Sequence, residues 1–298
     1  SKCDYSLGLL QLTGAYSETW KVVRVRYLVA VFIFPLFYLP GANSIYESLG
    51  PYAPPYAFDL AIILYLQTIW CLATYITATL PVEIPIRTVI GRRPGKSEIV
   101  SGLKLSAWLL AASIGAAYAL FLPLSYWVPT FVTFWFIETP DLVFFYDGSF
   151  PVLANLLNLL SLCVIAPILE EIGFRGLILH RWAHKYGLKS AILGSSFVFG
   201  ILHPDPIGAF LFGVGMCILY LRYQSIIVPI VCHSIYNIVV WLIELGYIVA
   251  QGPEYEYTLE TFQNEWPIGA VAITVTCVWA LLYVRRYSYS MPWKLPAA

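Results

Sequence analysis

Eight apolar runs constrain this chain more than any other feature. A helix needs about 20 apolar residues to cross the hydrocarbon core of a bilayer. Runs near that length fall at about 22–40, 57–80, 105–128, 151–180, 189–203, 206–223, 225–249 and 267–284. A further apolar, aromatic segment at 128–146 is broken by Pro129, Glu138, Pro140, Asp141 and Asp147, and reads as a re-entrant or interfacial loop. The charge content agrees with burial in lipid. Hydrophobic residues make up 59% and charged residues 11%, against roughly 45–50% and roughly 25% in soluble domains. Seventeen basic and 17 acidic side chains are too few to cover a water-facing exterior. The predicted fold is therefore all-α, a polytopic membrane protein of about eight transmembrane helices forming one integral membrane domain over 1–298. A net charge of zero removes the basic footprint of a nucleic-acid binder, so the expected surroundings are a lipid bilayer and no nucleic acid.

Loop charges give an independent test of the count, because short cytoplasmic loops are rich in Lys and Arg. In the eight-span arrangement all 17 basic residues fall on one side: before span one (Lys2, Lys21, Arg24, Arg26), between spans two and three (Arg87, Arg92, Arg93, Lys96, Lys104), around the four-to-five turn (Arg175, Arg181, Lys185, Lys189), between six and seven (Arg222) and after eight (Arg285, Arg286, Lys294). Opposite loops carry Glu47, Asp59, Glu138, Asp141, Asp147, Asp205, Glu254, Glu256, Glu260 and Glu265. Both termini are thus expected on the cytoplasmic side. The polar, mixed segment 1–21 reads as no signal peptide. Six scattered cysteines without paired spacing read as packing residues rather than a disulfide or metal framework. His180 and His184 have the spacing of a ligand pair, but interleaved Arg181 and Lys185 mark a solvated basic face.

Ionisable groups inside a span are costly and mark functional cavities. Three clusters qualify: Glu170-Glu171-x-x-x-Arg175 in span four, Phe199-x-x-x-His203 ending span five, and His233-x-x-x-Asn237 in span seven. At about 1.5 Å per residue, Glu170, His203 and His233 lie roughly 16, 21 and 12 Å in from Arg181, Lys189 and Ser225. They share one middle layer of the membrane, reached from the cytoplasmic side, and are expected to line one intramembrane cavity open to the cytoplasm. No Ser-Lys, Ser-His, paired-aspartate or His-Glu-x-x-His arrangement is present, so the chemistry that fits is a water activated by Glu170. His203 can share that water or protonate the leaving amine, and His233 and Asn237 can donate to an oxyanion. Glu171 is expected to pair with Arg175, four residues on, since an unpaired guanidinium at that depth is very unfavourable.

These three motifs, in this order, resemble the signatures of the CPBP family of intramembrane proteases, which includes type II CAAX prenyl endopeptidases, lysostaphin-resistance-like proteins and bacteriocin-immunity proteins. Gly213-x-Gly215, Tyr220-x-Arg222 and Pro229 are similar to the family's connecting sequence. The resemblance covers about 150–245. It implies an eight-helix fold, with base chemistry at Glu170, water binding at His203 and oxyanion contacts at His233 and Asn237. Its implied partner is a membrane-associated peptide or protein, prenylated CAAX-type in one branch. Metal is the open chemical question. Two His and a Glu match a zinc site, but Asn is a poor zinc ligand and Glu170 is needed as base, so the expectation is no metal and no cofactor. Alternatives are a zinc-dependent protease, a non-proteolytic immunity or scaffold protein of the same fold, and, less well matched, a transporter.

Overall fold

The computed structural model describes residues 20–26, 28, 56–79, 84, 86–139, 141–145, 148–252 and 255–287. Within them the chain is helical and forms no strand. Seven helices carry the architecture: α1 (Tyr56–Thr79), α2 (Lys96–Trp127), α3 (Val152–Tyr186), α4 (Leu188–Ile201), α5 (Pro206–Tyr223), α6 (Ile227–Gln251) and α7 (Trp266–Tyr287). They fall on the last seven predicted runs, while nearly all of the first run, 22–40, lies outside the described residues. Four of them, α2, α3, α5 and α6, are long and apolar enough to cross a membrane. The chain is an all-α integral membrane protein.

Helix α2 is the hub, packing along α5, α6 and α7, while α4 and α5 form a tight hairpin. Small residues permit the closest approaches. A side chain at Gly102 would meet Cys232 Sγ at 2.5 Å, and one at Gly269 would meet Tyr118 at 2.3 Å. Along α3 the exposed apolar residues Leu153, Leu156, Leu160, Val164 and Ile168 recur at helical spacing on one face, which suits contact with lipid tails. Two stretches of α3, Ser161–Ile165 and Ile172–Ile178, are wound as π-helix. Such widening turns carbonyls out of the regular ladder and collects at functional positions. Gln67 of α1 donates to the Ser161 carbonyl at 3.1 Å and Asn237 of α6 to the Leu162 carbonyl at 2.8 Å, so side chains satisfy the first of these stretches.

At one end of the bundle four sequence-distant segments converge. Trp20 stacks on His180 at 4.8 Å, His180 Nε2 lies 2.8 Å from the Tyr220 hydroxyl, and that hydroxyl reaches the Val89 carbonyl at 3.3 Å. Gly91 pairs with Ser225 in an antiparallel bridge, closed by Arg92 N–H on the Gln224 carbonyl at 3.1 Å and Ile226 N–H on the Ile90 carbonyl at 3.0 Å. Gly91 is required there: its φ is +72°, and a Cβ would lie 2.2 Å from the Gln224 carbonyl oxygen. These are segments rich in Lys and Arg. The contacts also correct the solvated-face reading of His180, whose ring is enclosed by Trp20 and Tyr220, whereas His184 is exposed.

The interrupted segment forms a short helix, Pro129–Val132, and a π turn, Thr133–Ile137, at the opposite end. Phe136 stacks on Phe121 of α2 at 4.5 Å and meets Phe262 at 5.2 Å. Beyond it, residues 142–144 form non-helical backbone in a membrane domain, which is tolerated only where protein supplies every hydrogen bond. Glu244 Oε1 accepts from Leu142 and Val143 N–H at 2.7 and 2.9 Å. Asn155 accepts from Phe144 N–H and donates to its carbonyl, both at 2.8 Å, and Asn158 donates to the Leu142 carbonyl at 2.8 Å. This strap ties the start of α3 to the C-terminal half of α6. Charge and amide side chains in apolar helices are the sequence trace of such a tie.

Candidate active site

The site is assembled where α3 widens. Glu171 ends the α-helical stretch Ala166–Glu171, and the π stretch that follows carries Arg175. Both are fully enclosed, with side-chain exposures of 0% and 1%. Arg175 Nη1 donates to Glu171 Oε1 at 2.9 Å, the pairing expected from their spacing. Nη2 donates to the Gly213 carbonyl of α5 at 3.1 Å, and the guanidinium lies 4.9 Å above the Phe199 ring of α4. One cation thus joins α3, α4 and α5 through an ion pair, a carbonyl and an aromatic face. A side chain at Gly213 would stand 3.0 Å from Ser196, so α5 lies too close to α4 there for a larger residue without adjustment.

The Glu171–Arg175 pair has a third member that the sequence did not show. His233 Nδ1 lies 2.9 Å from the same Glu171 Oε1. A carboxylate paired with a guanidinium accepts, so Nδ1 carries the proton and donates. That fixes the imidazole and aims Nε2 at Glu170, whose Oε2 is 3.9 Å away. The separation is too long for a direct hydrogen bond and suits a group shared between the two. Glu170 Oε2 has no protein partner among the described residues, while the side chain as a whole is 25% exposed. Glu171 is therefore more than a clamp: it orients the histidine that faces Glu170.

His203 joins this group through Phe199. Its ring stacks on Phe199 at 4.4 Å, and Phe199 meets His233 edge-on at 6.1 Å. His203 Nδ1 lies 2.7 Å from the Phe199 carbonyl. A carbonyl only accepts, so Nδ1 donates, and in the neutral ring Nε2 is the lone-pair nitrogen. Phe212 closes the other side of His233 at 4.8 Å. Asn237 lies one turn beyond His233, with one amide hydrogen committed to the Leu162 carbonyl. The structure thus joins Glu171, Arg175 and His233 directly, places Glu170 3.9 Å from His233, sets His203 beside them across Phe199, and places Asn237 at the α3–α6 seam. Among the described residues no three His, Cys, Asp or Glu groups converge closely enough to hold a metal ion. Phe199, Phe212 and the Gly213 carbonyl are site residues that sequence reasoning left without a role. A buried Arg with several unfilled donors is the signal that points to them.

A buried and a part-exposed glutamate, two histidines held through Nδ1 and an amide thus lie within one part of the helical bundle. Residues 151–239 match the type II CAAX prenyl endopeptidase Rce1-like family. An 85-residue stretch is 38% identical to the Bacillus subtilis (strain 168) protein named "Putative membrane peptidase YdiL", covering 28% of this chain and 35% of that protein. The chain thus aligns with about a third of the length of the curated relative that it matches. No solved structure matches. Both matches are likenesses of part of the chain, and they agree with the resemblance that the three motifs carry.

Proposed function

We propose that the chain is an intramembrane endopeptidase that hydrolyses a peptide bond of a membrane-associated substrate with a water activated by Glu170, without metal. The observation that carries this reading is the double grip of Glu171 on Arg175 and His233, which turns His233 Nε2 toward Glu170 Oε2 at 3.9 Å. In the reaction Glu170 accepts a proton from water as its oxygen bonds to the scissile carbonyl carbon. His203 Nε2 accepts the water's second hydrogen bond and holds its direction of attack. Doubly protonated His233 donates Nε2–H to the developing oxyanion, with Glu171 stabilising the imidazolium through Nδ1. Asn237 contributes its second amide hydrogen. When the C–N bond breaks, Glu170 passes its proton to the leaving amine, which balances the step. The matched family is one of prenyl endopeptidases, so a prenylated, CAAX-type peptide is the proposed substrate, entering from the cytoplasmic side. Release of a short C-terminal peptide from such a substrate by the purified protein, compared with Glu170→Gln, tests the assignment.

The orientation belongs to the same proposal. The segments that converge around Gly91, His180, Tyr220 and Ser225 carry the basic residues, and their end of the bundle is assigned to the cytoplasm, together with both termini. A reporter fused after Ala298 is expected to read cytoplasmic, and one inserted near Glu256 external. Reversed readings at both positions would overturn the topology.

A further inference from the structure

Loop charge alone puts Asp205 in an external loop; the structure shows it half-buried, with its carboxylate turned against α2. Helix α4 has 14 residues, and the turn after it is closed by Leu202 N–H on the Phe199 carbonyl at 3.3 Å and His203 N–H on the Gly200 carbonyl at 3.1 Å. Asp205 then caps α5, its Oδ1 accepting from Gly208 N–H at 3.0 Å, while Oδ2 accepts the hydroxyl hydrogen of Ser113 in α2. Measured along α2 at 1.5 Å per residue, Ser113 is about 26 Å from Lys96 and still about 21 Å short of Trp127. The turn that bears His203 therefore stops well inside the bundle.

An ordinary cap needs no charge and only one acceptor, which Ser, Thr or Asn also supplies. A carboxylate at this depth is costly, and its second oxygen is spent on a different helix. The turn is otherwise stiff. Pro204 and Pro206 fix their φ angles and contribute no N–H, and the residue before a proline, here His203, is restricted as well. Trp135 Nε1–H holds the Pro204 carbonyl at 3.2 Å. With so few free torsions, pinning Asp205 to α2 sets the position of His203 two residues earlier. The packing is built around that bond: a Cβ at Gly208 would lie 1.8 Å from Asp205 Oδ2 and 2.2 Å from Ser113 Oγ. The Tyr236 phenol, three residues beyond His233 on α6, lies beside both Ser113 and Asp205. Both histidine-bearing elements thus meet at the same point of α2.

We infer that Asp205, anchored by Ser113, is a positioning residue that sets the His203 ring for the hydrolytic step. The inference rests on the proposed function for its kinetic consequence, but not for its geometric one. Asp205→Ser keeps a cap for α5 and is too short to reach Ser113. Ser113→Ala removes the α2 anchor and leaves the cap untouched. Asp205→Asn retains both contacts, its amide nitrogen donating to the Ser113 oxygen. The readouts are kcat and KM on a lipid-anchored peptide, and the rate at which diethyl pyrocarbonate modifies His203, followed by mass spectrometry. Asp205→Ser and Ser113→Ala are expected to lower kcat about 10-fold or more with KM nearly unchanged, as for misplacement of a reacting group. Both are expected to change the modification rate of His203 several-fold, and Asp205→Asn to restore both quantities. Wild-type kcat and wild-type His203 reactivity in Ser113→Ala would overturn the inference, as would failure of Asp205→Asn to restore His203 reactivity. Should the wild-type protein cleave no peptide, the proposed function falls, and the reactivity of His203 across the same variants still decides whether Asp205 positions it.

Discussion

Glu170→Gln is expected to lose on the order of 10²-fold or more in turnover, the usual loss when a general base is removed, with folded yield unchanged. The variant keeps the size and the hydrogen-bonding oxygen of the side chain and removes only its capacity to take a proton. Glu170 also has little structural employment. Its Oε2 has no protein partner among the described residues and its side chain is 25% exposed. Near-normal proteolysis by Glu170→Gln, measured with the purified variant, would exclude it as the base.

The neighbouring glutamate is expected to behave in the opposite way. Glu171→Ala leaves the Arg175 guanidinium enclosed without its carboxylate, and breaking a buried pair from one side costs about 3–5 kcal/mol. That is a large part of the stability of an ordinary domain. It also releases His233, which shares the Oε1 atom with Arg175. Thermal unfolding in detergent should show a much lower midpoint and reduced folded yield for Glu171→Ala and for Arg175→Ala. Wild-type stability in either variant would mean that the Glu171–Arg175–His233 arrangement is not a structural unit. The two adjacent glutamates are thus separable by experiment: one variant folds and fails to turn over, and the other fails to fold well.

The helical, membrane-spanning class was readable because it rests on local patterns. Apolar runs of spanning length and the one-sided placement of Lys and Arg need no knowledge of tertiary contacts. The Glu171–Arg175 pair was readable for the same reason, since four residues on a helix are neighbours. What stayed hidden depends on contacts between distant segments. His180 reads as a solvated residue among basic neighbours until Trp20 and Tyr220 are placed against it. The share of Glu171 taken by His233 spans 62 positions. The contact of Asp205 with α2 follows from the short α4 and the point at which α5 crosses α2, and loop charge carries no trace of it. The π stretches of α3 have no residue signature, because one extra residue per turn can be absorbed by any apolar helix with partners for the displaced carbonyls. Gln67 and Asn237 are those partners for the first stretch, which gives Asn237 a structural contact beside its proposed chemical one.

The central claim is hydrolysis by a metal-free, Glu170-activated water. Its most direct test is an assay of purified protein in liposomes with a prenylated peptide, run after exhaustive chelation and with elemental analysis of the same sample. Cleavage that persists in metal-depleted wild-type protein and disappears in Glu170→Gln is the predicted result. One zinc per chain, with activity lost on chelation and regained on adding zinc, would contradict it.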